Sequence, residues 1–192
     1  MLLIAIPHQD VEAASLVGEL ACPACSGRLS PWGFARSRAV RTLTEIQLVR
    51  PRRARCAACP STHVLSPSWL VPRRRDSAQV IGQALLLAAD GSGHRPIARQ
   101  LQRPQATVRG WLRAAGTRAE SLRACATCRL VTLDTEVAAI TPMADSLGDA
   151  VEAIMLAVRA WVLRFGRDSV GPWARAVWLT GGLLHGHLPL PP

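Results

Sequence analysis

The chain reads as mostly α-helical, with a small cysteine-bearing β unit near its N-terminal end. Three observations support this: two Cys-x-x-Cys pairs flank a strand-like segment, apolar residues then recur at helical spacing from residue 76 onward, and Pro and Gly break that pattern at intervals. At 192 residues and 49% apolar content the chain can bury a packed core in one or two domains.

The pairs Cys22/Cys25 and Cys56/Cys59 are the strongest motif. A tetrahedral zinc ion takes four soft or borderline ligands, and each Cys-x-x-Cys knuckle offers two thiolates from one tight turn, so two knuckles complete a shell. Pro23 and Gly27 suit the first turn, while Ala39, Val40 and Leu43, followed by residues 44–49 and closed by Pro51, read as a hairpin between knuckles. The interval exceeds the usual ribbon spacing of about 15 to 20 residues, which an enlarged hairpin accommodates. The expectation is a zinc ribbon over residues 21–72 with Zn2+ on Cys22, Cys25, Cys56 and Cys59; reduced or disulfide-paired cysteines are the alternative. His63, four residues after Cys59, is read as structural in preference to a substitute ligand.

Residues 1–20 form a short leader in which Val11, Leu16, Val17 and Leu20 could share a helical face. A Pro-rich stretch at residues 67–72 marks a boundary before Arg73, Arg74 and Arg75. Residues 73–124 then read as a three-helix helix-turn-helix. Asp76 and Ser77 can cap its first helix, which carries Val80, Ile81, Ala84, Leu85 and Ala88 and stops at Gly91 and Gly93. A short helix from Pro96 to Leu101 and a longer one from Pro104 to about Ala115 follow, with Ile97, Ala98, Leu101, Val108 and Trp111 spaced as the core between them. The turn position that favours glycine is Gln102, where a left-handed backbone costs on the order of 1 to 2 kcal/mol.

Gln105, Arg109 and Arg113 share the opposite face of the longer helix. Glutamine pairs with adenine and arginine with guanine in the major groove, so Gln105 and Arg109 are the base-reading candidates, with Ala106 available for a thymine methyl. Arg95, Arg99, Arg103 and Arg113 are assigned to phosphates. A structural three-helix bundle with a solvated arginine face is the alternative reading.

Charge supports a polyanionic partner. The formal charge is +10, and all 23 basic residues are arginine. Arginine without lysine reflects a GC-rich codon bias, which does not explain the imbalance. Eleven arginines and one acid, Glu45, lie between Gly27 and Arg75, whereas four arginines face six acids from Leu130 onward. The positive field therefore belongs to the first two-thirds, as phosphate neutralisation of double-stranded DNA requires.

Residues 134–192 read as a C-terminal helical unit, with a capping box at Ser146 and Asp149 and an apolar stripe of Leu147, Val151, Ile154, Met155, Val158, Trp161, Val162 and Phe165. Pro172 opens a further helix with Trp173, Val177 and Trp178. The stripe is covered either by the preceding helices or by a second copy in a homodimer. Cys125/Cys128 has knuckle spacing without a second pair; free thiols are expected, with a metal shared across a dimer or a redox pair as alternatives.

The acids Asp134, Glu136, Asp145, Asp149, Glu152 and Asp168 fall on helical segments without the strand pattern of a two-metal nuclease core, so no catalytic residues are expected and the chain is read as a non-enzyme. It shows no membrane span or convincing targeting segment, which suggests a cytoplasmic, nucleoid-associated protein.

Together, CPACSGRLSPWG, RPRRARCAACPSTHVL, the RRRD step and GHRPIARQLQRPQATVRGWLR resemble an uncharacterised actinobacterial family that joins an N-terminal zinc ribbon to a helix-turn-helix, related to the DNA-binding ends of insertion-sequence transposases. The likeness covers about residues 20 to 120 and continues weakly through GDAVEAI and LTGGLL. It implies Cys22, Cys25, Cys56 and Cys59 as metal ligands and residues 104–115 as a recognition helix. The expected function is sequence-specific DNA binding by a regulator or a transposase-derived protein without a catalytic domain. Alternatives are a protein-interaction scaffold or a transposase accessory subunit; an intact nuclease or recombinase is the third reading.

Overall fold

The structure is a computed structural model that describes residues 2–6, 20–137, 142, 145–167 and 170–182. The leader positions Val11, Leu16 and Val17, and Asp168, lie outside the described residues. Among the described residues, six strands come first: β1 (Leu2–Ile6), β2 (Leu29–Phe34), β3 (Arg38–Arg41), β4 (Ile46–Val49), β5 (Arg52–Cys56) and β6 (Thr62–Pro67). The described helices that follow are α1 (Ala78–Ala89), α2 (His94–Gln100), α3 (Gln105–Gly116), α4 (Ala119–Leu133), α5 (Ser146–Phe165) and α6 (Pro172–Leu179).

The strands form two sheets. β1, β6, β5 and β2 lie side by side in that order, with β1 parallel to β6 and the other pairs antiparallel. The expected hairpin between the knuckles is β3–β4, a separate two-stranded sheet inserted between β2 and β5. That insertion accounts for the long cysteine interval. β2 and β5 fell outside the sequence reading because their outward positions are Arg, Ser and Trp and their inward ones include cysteine and alanine, which leaves little apolar alternation to see.

The sheet has a core of its own, made of Cys22, Leu29, Ala54, Cys56 and Leu65 with Leu20 and Cys59 packed against it. Leu20, placed in the leader by sequence, accepts a backbone hydrogen bond from Leu29 through its carbonyl. A second, larger core runs through all six helices. Ile97, Ala98, Val108 and Trp111 are buried in it and Leu101 is partly buried. The turn after α2 holds Gln102 at φ 53°, the left-handed conformation expected there.

Ser77 is the N-cap of α1, its hydroxyl accepting from the Val80 N–H. Asp76 does not cap that helix. Its buried carboxylate instead pairs with Arg41 Nη2 at 2.7 Å and Arg103 Nε at 2.6 Å. Arg103 Nη2 also donates to the Thr42 carbonyl at 3.0 Å. Three segments distant in sequence, the β3–β4 hairpin, the start of α1 and the α2–α3 turn, therefore meet at one charge cluster. Backbone hydrogen bonds from Arg41 to Arg75 and from Ser77 to Arg41 reinforce it.

α4 spans residue 124, where the sequence reading ended its central unit, and carries Cys125 and Cys128. Its buried face is Ala119, Leu122, Ala126 and Leu130, too rich in alanine to stand out as an apolar stripe. α5 also departs from expectation. Its N-cap is Asp145, one residue before the expected Ser146, and its carboxylate accepts from the Leu147 and Gly148 N–H groups. Its buried face adds Gly148, Ala150, Ala153, Ala157 and Ala160 to Val151, Ile154 and Val158, while Phe165 is exposed. Small residues let α4 and the other helices approach closely, and most of the stripe is covered within the chain.

Gly82 shows how tight that core is. A Cβ at this position would fall inside the indole of buried Trp173. Gly82→Ala is therefore expected to destabilise by roughly 2 kcal/mol through overpacking, despite the gain of about 1 kcal/mol in helix propensity. Gly110→Ala, with open space around it, should stabilise the fold. Urea unfolding of both variants checks this; equal effects would mean that Trp173 yields without cost.

Candidate metal centre and arginine face

Two tight turns bring the four N-terminal cysteines together. After Cys22 the Ser26 N–H donates to the Cys22 carbonyl at 2.7 Å and the Cys22 N–H to the Gly27 carbonyl at 2.8 Å, with Ser26 held at φ 57°. In the second knuckle the Ala58 N–H points at Cys56 Sγ from 3.3 Å, a donor suited to a thiolate. Antiparallel pairing of Leu29 with Cys56 joins the two turns.

All four sulfurs lie within 4.8 Å of one another. The Cys22–Cys59 and Cys25–Cys56 sulfur separations are 3.8 and 3.4 Å, far beyond a disulfide bond of about 2.05 Å. They are close to the edge of about 3.8 Å that a tetrahedron with bonds of about 2.3 Å requires. A Cβ on Gly27 would stand 3.0 Å from Cys56 Sγ and 3.3 Å from Cys25 Sγ, so glycine keeps the space beside the sulfurs open. Thiol ionisation is uneven. Hydrogen bonds from the Ser61 hydroxyl and backbone pull Cys59 down to about 6. The Gly27 N–H also pulls Cys25 down, but the Cys56 and Cys59 sulfurs outweigh it and Cys25 is pushed up to about 12. Four thiols this close ionise together only when a cation balances them. The cluster is thus compatible with a metal ion bound by all four cysteines, and it is the one such group of three or more metal-capable side chains among the described residues.

His63 lies beside the cluster. It is fully buried on β6, and its Nε2 is 3.4 Å from Cys22 Sγ. Burial holds its pKa below the ordinary value, so a neutral ring with its proton on Nε2 would donate to that sulfur. Its spacing from Cys59 alone suggests a structural residue; its contact with a cysteine sulfur becomes visible only when β6 is registered against β5.

On α2 and α3 the side chains of Arg95, Arg99, Gln105, Ala106, Arg109 and Arg113 are exposed. Arg95, Arg99, Gln102, Arg103 and Gln105 border one polar cleft where the two helices meet. Arg103 differs from the other arginines assigned to phosphates. Its side chain is only 12% exposed and is held by Asp76, the Leu101 and Gln102 carbonyls and Thr42. Its guanidinium serves the protein's own interior, a role that a buried acid 27 residues away in sequence hid from the sequence reading.

Cys125 and Cys128 occupy α4, away from the four-cysteine cluster. Burial pushes the Cys125 thiol up, and its Sγ is 3.9 Å from the Leu179 carbonyl, whereas Cys128 is exposed.

Residues 22–111 match a protein-family profile described as a domain of unknown function (DUF6431). The match opens at the first knuckle cysteine and closes at Trp111 inside α3, so it takes in the cysteine cluster, the Asp76 cluster and the exposed arginines of α2. No curated protein and no solved structure matches the chain. No helix among the described residues is long and apolar enough to cross a membrane.

Proposed function

We propose that this chain binds double-stranded DNA in a sequence-specific manner, with a structural zinc ion in a ribbon formed by Cys22, Cys25, Cys56 and Cys59 and with α1–α3 acting as a helix-turn-helix. The observation that carries the reading is the exposed row of Gln105, Arg109 and Arg113 on α3, whose other side, Val108 and Trp111, is buried against α1 and α2. A helix held this way presents a rigid, positively charged face to a major groove. Gln105 and Arg109 read bases, Arg95, Arg99 and Arg113 hold phosphates, and Arg103 braces the α2–α3 turn from inside. The protein acts as a regulator or as a transposase-derived factor that works without a catalytic domain of its own.

Arg109→Ala is expected to cost about 1 to 3 kcal/mol at a selected site and to relax preference at one base pair, whereas Arg99→Ala should weaken all sequences alike and lower the salt slope by about one. Duplexes selected from a randomised library, titrated at several salt concentrations, separate the two effects. Equal losses for selected and random DNA would reduce Arg109 to a phosphate contact, and absence of selection would remove the proposal.

A further inference from the structure

The β3–β4 hairpin carries apolar side chains on its solvent face as well as its buried one. Its pairs are Arg38–Val49, Ala39–Leu48, Val40–Gln47 and Arg41–Ile46. Pleating places Arg38, Val40, Gln47 and Val49 on one face and Ala39, Arg41, Ile46 and Leu48 on the other, where Arg41 reaches back to Asp76. Val40 is fully buried, as expected of an inner residue, yet the outer face carries Leu48 at 78% and Ile46 at 69% exposure, with Leu43 of the connecting loop half exposed. A solvated hairpin face is ordinarily polar, and an exposed apolar one invites aggregation unless something covers it.

Charge and position indicate what covers it. Arg36 and Arg50, next to the hairpin ends, and Arg73, Arg74 and Arg75 are exposed, and Glu45 is the sole acid between Gly27 and Arg75. A partner for this face must accept aliphatic side chains while bringing negative charge to its rim. The hairpin is also fastened to the start of α3. Arg103, which immediately precedes the Pro104 cap of that helix, bonds to the Thr42 carbonyl in the hairpin loop and to Asp76. On the other side an open cleft lined by Thr44, Gln47, Trp69, Gln79 and Gly171 lies between the hairpin and the starts of α1 and α6.

We infer that the β3–β4 hairpin is a second DNA-contacting element, which lays Ile46 and Leu48 into the minor groove flanking the site read by α3 while the neighbouring arginines meet its phosphates. The inference rests on the DNA-binding reading above. Aliphatic side chains serve in a minor groove because they pack on deoxyribose or wedge between base steps, and the narrow groove concentrates the negative potential that arginine seeks.

The test is the full-length, zinc-loaded protein carrying Ile46→Ser and Leu48→Ser together, compared with wild type and Arg109→Ala by hydroxyl-radical footprinting on a duplex selected by the wild type. Both side chains are solvated, so the double variant should keep wild-type circular dichroism and melting. The expected result is loss of deoxyribose protection in the flank and about tenfold weaker binding, with the central protection intact; Arg109→Ala should weaken the centre and spare the flank. An unchanged footprint and affinity in the double variant, beside a clear wild-type footprint, would overturn the inference and leave the DNA-binding reading in place. An unchanged footprint with loss of self-association in light scattering would assign the face to a second copy instead and likewise overturn it. A wild-type protein that protects no duplex would overturn both.

Discussion

Chelation of the metal is expected to unfold the cysteine-bearing sheet and to leave the helices folded. The sheet's core holds five buried residues, two of which are the cluster cysteines Cys22 and Cys56. So small a core cannot offset the backbone entropy of its strands, about 1 to 2 kcal/mol per residue. A structural zinc, which contributes an apparent free energy of about 10 to 16 kcal/mol in zinc-finger peptides, would supply the difference. The helical core is separate and much larger. Elemental analysis should find one zinc per chain, and after treatment with a strong chelator the β5 and β6 amides should lose hydrogen-exchange protection while those of α1 and α5 keep theirs. Full protection of β5 and β6 in a zinc-free, reduced sample would refute the dependence. Cys22→Ser should reproduce the chelated state, and acidification should favour it, because protonated thiols do not hold the ion.

The second large effect is expected at Asp76. Removing one member of a buried ion pair typically costs about 3 to 5 kcal/mol because the partner charge is left stranded. Arg103 would be stranded in this way, but Arg41, with a third of its side chain exposed, can turn to water. Asp76→Ala should therefore cost about 3 kcal/mol, near the lower limit of that range. In a chain of this size the loss lowers Tm by roughly 6 to 12 °C. Asp76→Leu combined with Arg103→Met should recover much of the loss, since an apolar pair needs no counter-charge. Calorimetry of the single and double variants decides the matter: a loss below about 1 kcal/mol would place the cluster among screened surface pairs. The same variant should also loosen the hairpin from the α2–α3 turn, visible as faster exchange of the β3 and β4 amides.

Some of this molecule is legible in its sequence because the controlling interactions are local. Cys-x-x-Cys turns need only four residues, so both knuckles and the four-cysteine cluster can be read directly. The helices of residues 78–116 declare themselves through Ser77, Pro104, Gly91 and an apolar repeat, and even the left-handed Gln102 follows from the tight link between two short helices. The metal's identity and the DNA contacts remain proposals built on those placements.

Other features depend on residues far apart in the chain. No local pattern assigns Asp76 to Arg41 and Arg103, 35 and 27 residues away, and proximity to Ser77 makes a helix cap the natural local reading. β2 and β5 have too little apolar alternation to be seen alone; they form because the cysteine turns hold their ends together. α4 and α5 bury alanine faces whose value lies in how closely another helix can approach, a property of the pair and absent from either sequence segment. The outward Ile46 and Leu48 read locally as ordinary strand hydrophobes, and only the register that buries Val40 shows that they face solvent. Sequence determined the turns, caps and charge asymmetry through short-range geometry and composition. Tertiary structure decided which arginines are held inside, which apolar residues are left outside and how the hairpin is joined to the helices, because burial and ion pairing depend on what the rest of the chain brings alongside.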